Sequence, residues 1–420
     1  MIFALLLCSL VGLLSSTVYL GLTTVAAYRF ARSRRAAGES GDASLPPISV
    51  LKPVHGDEPY LSSSLESFFQ QRYDRYELIF GARSADDPAL AVVETLRRRY
   101  PHVPTRIVLT GPPIYANAKV SALEPMIEAA AHSFLLIADS DTRVGPHCLR
   151  EVIAPLSDPR VGLVTCLYRG VSIGGLSSRL EALGMSVEMP SGVLVANLLE
   201  GMRFALGPTM ATRKDVLNQL GGIGTLGEYL ADDYMLGRLI WQSGHEVVLS
   251  RHVVDHIIVN QRWRASLQHQ VRWMRSTRFS RPLGHLGTGL TFAMPFGALA
   301  AIAAVLADRV GLGLIFIAWA YASRVAQSVI VGFATLGDQQ ALSNCWLYPL
   351  RDLVGFAHWC VSYAGTSIVW RGERFELLRG GRMRAEQAAV ARPRPLTART
   401  HAGGLRPEQA ASADPGESKG

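Results

Sequence analysis

The stretch Phe134-Leu135-Leu136-Ile137-Ala138-Asp139-Ser140-Asp141 joins an uninterrupted apolar run to two closely spaced acidic residues. A short apolar run of this kind is typical of an interior strand in a sheet with both faces covered. Open α/β sheets bind ligands beyond the carboxyl ends of their strands, where Asp139 and Asp141 would lie. Carboxylate oxygens suit Mg²⁺ or Mn²⁺, and such ions commonly bridge a protein to a diphosphate. Because a lone Asp-x-Asp more often caps a helix or a turn, the surrounding sequence must decide.

The sequence before this stretch alternates short apolar runs with amphipathic segments. The runs predict strands at 48–51, 76–80 and 106–109, and the amphipathic segments predict helices at 59–71, 88–100 and 118–131. Such alternation predicts an α/β fold with a mostly parallel sheet and helices on both faces. We expect this domain to occupy residues 47–282.

Apolar segments at both ends of the chain predict membrane helices. Residues 2–28 carry no charge and are followed by several arginines, so we expect a retained transmembrane anchor at 1–28 and a linker at 29–46. The arginines place the domain that follows in the cytoplasm. Three further apolar stretches, 286–307, 311–336 and 345–370, predict two or three membrane segments within 283–372. Since three spans would send the arginines that follow outside, a re-entrant or interfacial segment is the alternative for one of them.

Composition limits the partners that the chain is expected to have. The net charge of +8, together with membrane segments, favours anionic lipid headgroups, and no nucleic-acid-binding motif is present. The five cysteines have no CxxC spacing, so they predict neither a disulfide framework nor a zinc site.

Arg324 lies in an apolar stretch, where it is expected to face protein, water or a headgroup, with snorkelling as the alternative. Residues 380–420 have few apolar anchors and predict a disordered tail.

Further acidic residues are expected at the same edge of the sheet. Asp86 and Asp87 follow the second predicted strand, and Asp232 and Asp233 begin an amphipathic segment. Each pair alone is more typical of a cap or a helix-dipole partner. Lys119 begins the helix before the Asp139 strand, and its ammonium suits a phosphate, although chance placement is an equal alternative.

A basic and aromatic stretch follows, from residue 261 to 281. It contains His269, Arg272 and Trp273. Taken alone, it predicts an interfacial helix whose arginines meet lipid phosphates and whose tryptophans lie at headgroup depth. An active site at the membrane surface is compatible with that interpretation.

Taken in order, these elements resemble a GT-A glycosyltransferase, specifically the membrane ceramide glucosyltransferases and their bacterial hopanoid-associated relatives. The resemblance covers roughly residues 45–375. It is carried by Val50-Leu-Lys-Pro53 with Gly56, Asp86-Asp-Pro-Ala89, Asn117-Ala-Lys119, Ile137-Ala-Asp-Ser-Asp141, Met210-Ala-Thr-Arg-Lys-Asp-Val216, Ala231-Asp-Asp-Tyr234 and His269-Gln-Val-Arg-Trp273.

The resemblance implies a role for each group. Asp233 would be the general base of an inverting transfer, and Asp139 and Asp141 would hold the divalent cation, Mg²⁺ or Mn²⁺, on the diphosphate of a UDP-sugar. The donor would also be bound by Asp86 or Asp87, Lys119, Asp139 and Arg272, and the acceptor by His269 and Trp273.

The sequence departs from the family pattern in two places. His269 stands where many relatives have Gln or Arg, and Ser84 stands where ceramide-type relatives often have an earlier Asp, which leaves Asp86 and Asp87 open as the base contact. The apolar segment 180–207 resembles the hopanoid-associated branch, and either an acceptor tunnel or an ordinary packed helix accounts for it.

The expected function is transfer of N-acetylglucosamine or glucose from a UDP-sugar to a lipid hydroxyl, preferably that of a hopanoid polyol. The expected place is the inner membrane, with the catalytic domain cytoplasmic. The alternatives are a ceramide glucosyltransferase, a polysaccharide synthase and a non-enzymatic membrane transporter or scaffold. Nucleic acid is not an expected partner.

Overall fold

A computed structural model describes residues 2–36, 45–260 and 262–386. The strands are β1 Ile48–Pro53, β2 Tyr76–Ala82, β3 Thr105–Leu109, β4 Phe134–Ala138, β5 Thr142–Arg143, β6 Val161–Ile173, β7 Thr209–Arg213, β8 Glu246–Val259, β9 Ser367–Trp370, β10 Glu373–Leu377 and β11 Met383–Ala385. The α-helices are α1 Ile2–Ala36, α2 Leu61–Phe69, α3 Ala89–Arg99, α4 Ala118–Ala129, α5 Cys148–Ile153, α6 Leu176–Leu183, α7 Met189–Glu200, α8 Lys214–Gln219, α9 Asp232–Gln242, α10 Trp263–Ser280, α11 Pro282–Thr288, α12 Met294–Leu306, α13 Val310–Gln327, α14 Gln339–Ser343 and α15 Tyr348–Ser362. Two π-helical segments, Gly184–Glu188 and Ser328–Thr335, extend α6 and α13.

Eight strands form one sheet in the order β3-β2-β1-β4-β7-β6-β8-β5. Strands β1 to β4 are parallel, as are β6 and β8, whereas β7 and β5 run in the opposite direction. The carboxyl ends of β1, β2 and β4 therefore meet at one edge, and the acidic residues that follow these strands converge there.

Both faces of this sheet are covered, as the sequence predicts. Alternating side chains of β1 point to opposite sides: Val50 belongs to a core shared with α2 and α3, and Leu51 belongs to a core shared with α4 and α7. Both are fully buried, as is Leu136 in β4. Burial on two faces explains why these strands are uninterrupted apolar runs. The predicted α/β class with a mostly parallel sheet is confirmed.

The first helix is longer than the predicted anchor. It continues to Ala36, so the linker predicted from residue 29 begins too early, and residues 37–44 lie outside the described part of the chain. Alanine and arginine are strong helix formers, which favours continuation through this segment. Ala27 and Phe30 are buried in the core that covers one face of the sheet, so the end of α1 packs directly against the domain.

Three helices in the described part of the chain are long and apolar enough to cross a membrane: 2–33, 176–200 and 310–335. The first and third agree with predicted spans. The second is two-thirds buried within the protein, which favours the packed-helix interpretation of the apolar segment 180–207. Met294–Leu306 is a shorter apolar helix, so the number of C-terminal spans stays a prediction.

The buried Arg324 of α13 lies 3.3 Å from a carboxylate oxygen of Asp352 in α15. It also donates a hydrogen bond to the carbonyl of Thr291. The expectation that this residue faces protein is confirmed, and the snorkelling alternative is wrong.

The chain after α15 returns to β structure. The predicted apolar stretch 345–370 ends as a helix at Ser362, and β9, β10 and β11 then form an antiparallel sheet. The predicted disordered tail is wrong for residues 383–385, because β11 pairs with β10. Residues 387–420 of that tail lie outside the described residues.

Candidate active site

Asp139 lies at the carboxyl end of β4 and is held by two lysines. Its carboxylate is 2.6 Å from the Lys119 ammonium, and its backbone carbonyl accepts a hydrogen bond of 2.6 Å from Lys52. Asn117 caps α4 by accepting hydrogen bonds from the backbone N–H groups of Lys119 and Val120, which directs the first turn of that helix at the site. Burial lowers the pKa of Lys52 to about 7, although the nearby carboxylates of Asp139 and Asp141 oppose that shift.

Asp141 has a carboxylate oxygen that no neighbour satisfies. One oxygen lies 3.5 Å from His256 Nε2, while the other is buried without a hydrogen-bond partner. A buried oxygen of this kind suits a cation ligand. No group of three or more His, Cys, Asp or Glu residues forms a metal cage in the described part of the chain. Mg²⁺ commonly needs only one or two carboxylates when substrate phosphates complete its coordination, so Asp139 and Asp141 fit such an ion.

The two acidic residues at the start of α9 have different surroundings. The carboxylate of Asp232 accepts a hydrogen bond of 3.1 Å from the Asn117 amide and lies 4.0 Å from the Lys119 ammonium. Among the described residues, no side chain forms a hydrogen bond or salt bridge with the carboxylate of Asp233. Burial, and then the charge of Asp232, raise the pKa of Asp233 to about 6. Asp232 therefore fixes the start of the helix, and Asp233 is left available to a ligand.

The two carboxylate groups converge, although they are distant in sequence. Burial alone would lower the pKa of Lys119, but the charges of Asp139, Asp232 and Asp233 together raise it. Tyr168 of β6 also lies near carboxylates of both groups. Burial raises the pKa of its hydroxyl, and the charges of Asp233, Asp139 and Asp141 raise it further. The structure thus brings Asp139, Asp232 and Asp233 around Lys119, and Asp141 joins Asp139 and Asp233 near Tyr168.

The two acidic residues that follow β2 differ in their exposure to solvent: the side chain of Asp87 is buried, and that of Asp86 is exposed. Asp87 accepts hydrogen bonds from the backbone N–H groups of Gly56 at 2.8 Å and Ala89 at 3.0 Å, and its other oxygen is 3.0 Å from His55. These hydrogen bonds outweigh burial and lower the pKa of Asp87. Asp86 is exposed. Asp87 therefore joins two loops at the edge of the sheet, while the carboxylate of Asp86 has no side-chain partner among the described residues.

The basic and aromatic segment forms α10. The ring of His269 lies 4.3 Å from that of Trp273, and its Nδ1 is 3.0 Å from the buried carboxylate of Glu181. Trp273 and Tyr168 pack against the same buried cluster of Ala182, Met185 and Ile258. Burial, and then the charge of Arg371, lower the pKa of Arg272 to about 10. His269 thus connects α10 to α6, while Trp273 shares a hydrophobic cluster with Tyr168.

Three side chains near the carboxylates were not predicted. Tyr168 lies in the middle of β6, where no local pattern marks it. Glu58 follows β1 at the ligand edge, and its chain position could have marked it. Burial raises the pKa of Glu58, a hydrogen bond from Ser140 lowers it, and one of its oxygens has no partner. Arg371 lies after the last predicted membrane segment, and Glu58 and Asp139 both act on its charge.

Comparison with known proteins gives a family match over most of the chain. The model of the family described as "Glycosyl transferase family 21" matches residues 8–383. Ceramide glucosyltransferase 1 of Caenorhabditis elegans is 30% identical over 212 residues, which cover 50% of this chain and 45% of that protein. The ceramide glucosyltransferase of Komagataella phaffii is 29% identical over 151 residues, which cover 33% of this chain and 29% of that protein. The chain spans about half the length, or less, of these curated relatives.

Solved structures of glycosyltransferases are also similar. A mannosyltransferase from Pyrobaculum calidifontis in complex with GDP-Man and Mn²⁺ has a TM-score of 0.48 at 16% identity, with 83% of this chain and 98% of that chain covered. TarS of S. aureus in complex with UDP-GlcNAc has a TM-score of 0.38 at 13% identity, with 81% of this chain and 99% of that chain covered.

These matches confirm the broader part of the predicted resemblance and leave the narrower part untested. The likeness to ceramide glucosyltransferase-like transferases is confirmed at the level of the family, and so is the expected enzyme class. The strand order, with β7 reversed inside a mostly parallel sheet, agrees with the predicted GT-A fold. The narrower likeness to hopanoid-associated enzymes stays a prediction.

Proposed function

Because the chain belongs to glycosyl transferase family 21, we propose that it moves a hexosyl unit from a UDP-sugar to a lipid hydroxyl with inversion at the anomeric carbon. The observation that carries this proposal is the convergence of Asp233 with Asp139 at Lys119, and of Asp233 with Asp139 and Asp141 at Tyr168. A transporter or a scaffold has no need for such a cluster at the ligand edge of a sheet.

Asp233 is the proposed general base. Its carboxylate pairs with no side chain in the part of the chain that the structure describes, and its raised pKa suits a group that must take up a proton near neutral pH. It accepts the proton of the acceptor hydroxyl, whose oxygen bonds to the anomeric carbon while the bond from that carbon to the diphosphate oxygen breaks. Attack from the side opposite the leaving group inverts the configuration.

The donor is proposed to lie along the edge formed by β1, β2 and β4. The exposed Asp86 is the proposed contact of the nucleoside, and Lys119 and Arg272 are the proposed cationic contacts of the diphosphate. Asp139 and Asp141 would hold a divalent cation, Mg²⁺ or Mn²⁺, which supplies positive charge next to the diphosphate leaving group when bound. N-acetylglucosamine and glucose are the proposed sugars.

A hopanoid polyol is the preferred acceptor, on the resemblance of the apolar segment 180–207 to that branch. Ceramide is the second candidate, because relatives with that name are 29–30% identical to this chain. His269 and Trp273 are the proposed acceptor contacts. Trp273 of this ring pair packs against the same hydrophobic cluster as Tyr168, and burial and then the charge of the proposed base raise the pKa of Tyr168.

The proposed location is the inner membrane, with the catalytic domain on the cytoplasmic side. The long apolar helices at 2–33 and 310–335 indicate membrane association. The arginines after residue 28 support the cytoplasmic placement of the domain.

The test is a comparison of Asp233→Asn with wild type in the full chain, purified in detergent. Each protein is incubated with UDP-glucose or UDP-N-acetylglucosamine and with a hopanoid polyol or ceramide, and the glycolipid is measured by mass spectrometry. Loss of the base is expected to lower the rate by about 10²–10⁴-fold. The exposed Asp74 provides the matched control, Asp74→Asn, which should keep full activity.

Three outcomes would contradict parts of the proposal. An Asp233→Asn variant as active as wild type would exclude Asp233 as the base. A wild-type protein that binds no sugar nucleotide and glycosylates neither lipid would favour the transporter or scaffold alternative. Glycosylation of ceramide alone would correct the acceptor and keep the reaction.

A further inference from the structure

The hairpin between β9 and β10 ends in a turn with an unusual residue. Trp370 pairs with Glu373, so Arg371 and Gly372 form a two-residue loop. Their φ angles of 51° and 84° are both left-handed, which is the pattern of a type I′ turn. Asn, Asp and Gly are the residues that favour the first position of this turn, whereas Arg is strained there. Turn geometry alone therefore does not explain Arg371.

The turn places two guanidinium groups beside the same indole ring. The guanidinium carbon of Arg371 lies 5.8 Å from the centroid of the Trp370 ring, and that of Arg272 lies 5.9 Å from it. Because β9 follows the last helix of the C-terminal segment, this contact brings a distant part of the chain against α10. The hairpin thus adds a second cation to the one that α10 supplies.

The guanidinium of Arg371, which contacts Trp370, is within electrostatic range of two carboxylates near the site. Burial and the charge of Arg83 lower the pKa of Arg371, while Glu58 and Asp139 raise it. Arg83 follows β2 and Asp139 ends β4, so the hairpin tip lies over the carboxyl edge of the sheet.

Neither of these cations has an acidic partner in direct contact. Within the described part of the chain, Arg272 and Arg371 make neither a hydrogen bond nor a salt bridge within 4 Å, and the charge of Arg371 disfavours that of Arg272. Two guanidiniums that face one ligand edge, next to carboxylates suited to a divalent cation, form a site for a diphosphate. A single phosphate or a headgroup would not need both the cation site and the paired guanidiniums.

We propose that Arg371 contacts the diphosphate of the sugar nucleotide together with Arg272, so that the β9–β10 hairpin forms one wall of the donor site. This inference rests on the proposed function, since it assigns a further residue to the same donor. It makes the segment after the last membrane helix a part of the catalytic unit.

The test uses Arg371→Gly in the full chain, purified in detergent. Glycine favours both left-handed positions of the turn, so the variant removes the guanidinium and relieves strain in the hairpin. The probes are UDP with Mn²⁺ and uridine, measured by calorimetry, with thermal melting as the check on folding. Loss of a charge-assisted hydrogen bond is expected to weaken UDP binding by about tenfold or more and to leave uridine binding unchanged.

Two further variants sharpen the comparison. Arg371→Lys keeps the charge without the planar fork, so its affinity for UDP should fall between those of wild type and Arg371→Gly. Arg374→Ala removes an exposed arginine of the same hairpin and should bind UDP as wild type does.

Three results would overturn the inference. Equal UDP affinity in wild type and Arg371→Gly would do so while leaving the proposed function intact. An equal loss of UDP and uridine binding, or a melting temperature well below that of wild type, would show that Arg371 only supports the fold. If wild type does not bind UDP, the proposed function fails and this inference fails with it.

Discussion

At the scale of single residues, the site depends on how Lys119 divides its charge among three carboxylates. It lies 2.6 Å from Asp139 and 4.0 Å from Asp232, and it also lowers the pKa of Asp233. A single ammonium therefore offsets the repulsion that would otherwise separate these acidic groups. It also sets the pH at which the proposed base is ionised.

The raised pKa of Asp233 predicts an acid limit to activity. A carboxylate with a pKa of about 6 is ionised above that pH and becomes protonated as the pH falls through it. A protonated Asp233 cannot accept the proton of the acceptor, so kcat/KM should be full near pH 8 and decline tenfold per pH unit well below pH 6. A profile of kcat/KM between pH 4.5 and 8.5 measures this. A flat profile through pH 6 would contradict the assignment.

The substitution Lys119→Met should shift the pH below which kcat/KM declines. Since the cation lowers the pKa of Asp233, its removal should raise that pKa and move the acid limb of the profile to higher pH. UDP affinity should also fall, because a proposed contact of the diphosphate is lost. An unchanged acid limb in an active variant would show that Lys119 does not act on the base.

At the scale of elements, Asn117 links the starts of two helices. Its side-chain oxygen accepts hydrogen bonds from the first turn of α4, and its amide donates to Asp232 at the start of α9 and to the carbonyl of Tyr229. The orientation of Lys119 and the position of Asp233 therefore depend on the same side chain.

Two substitutions of Asn117 distinguish its capping of α4 from its hydrogen bond to Asp232. Asn117→Ala loses the cap, which should cost about 1 kcal/mol of stability, and it also loses the donor to Asp232. Asn117→Asp keeps a capping oxygen but replaces the donor with a carboxylate facing Asp232. Asn117→Asp should therefore lose more activity than a loss of stability alone would explain. Thermal melting and kcat measured in parallel test this, and equal activity of Asn117→Asp and wild type would contradict it.

The sequence predicts elements well where their pattern is local. The run from Phe134 to Ala138 shows its burial by its length, and the parallel direction of β1 to β4 follows from alternation with helices. The β9–β10 hairpin was missed because Ile368 and Trp370 continue an apolar stretch, and residues 345–370 therefore resembled a membrane segment. Local apolarity does not distinguish a helix in lipid from a strand packed on α10.

The same limit applies to the site. Asp139, Asp141 and Asp233 stand in motifs, whereas Tyr168 and Arg371 reach the site only through the tertiary fold. The sequence left Asp86 and Asp87 equivalent, and the loop that Asp87 closes with Gly56 is what distinguishes them. Such long-range hydrogen bonds leave no trace in local spacing.

At the scale of the whole molecule, a buried ion pair joins the C-terminal helices. Asp352 of α15 pairs with Arg324 of α13 and accepts hydrogen bonds from the backbone N–H groups of Ala293 and Met294 at the start of α12. Both charged side chains are 2% exposed, so each depends on the other for its compensation. This pair fixes three helices of the C-terminal segment.

Arg324→Leu should therefore be strongly destabilising. Removing one partner of a buried pair leaves an uncompensated charge, and the expected cost is about 3–5 kcal/mol. The double variant Arg324→Leu with Asp352→Asn should recover much of that loss, because the amide oxygen still accepts from Ala293 and Met294. Thermal melting in detergent compares them. A double variant less stable than Arg324→Leu would contradict this account of the pair.

The most direct test of the central claim is an experimental structure of the full chain with Mn²⁺ and a non-hydrolysable UDP-sugar. In this complex, we expect Asp139 and Asp141 to bind the ion, the diphosphate to lie beside Arg272, and the Asp233 carboxylate to face the anomeric carbon. A structure in which Asp233 points away from the sugar, or the ion binds elsewhere, would contradict it.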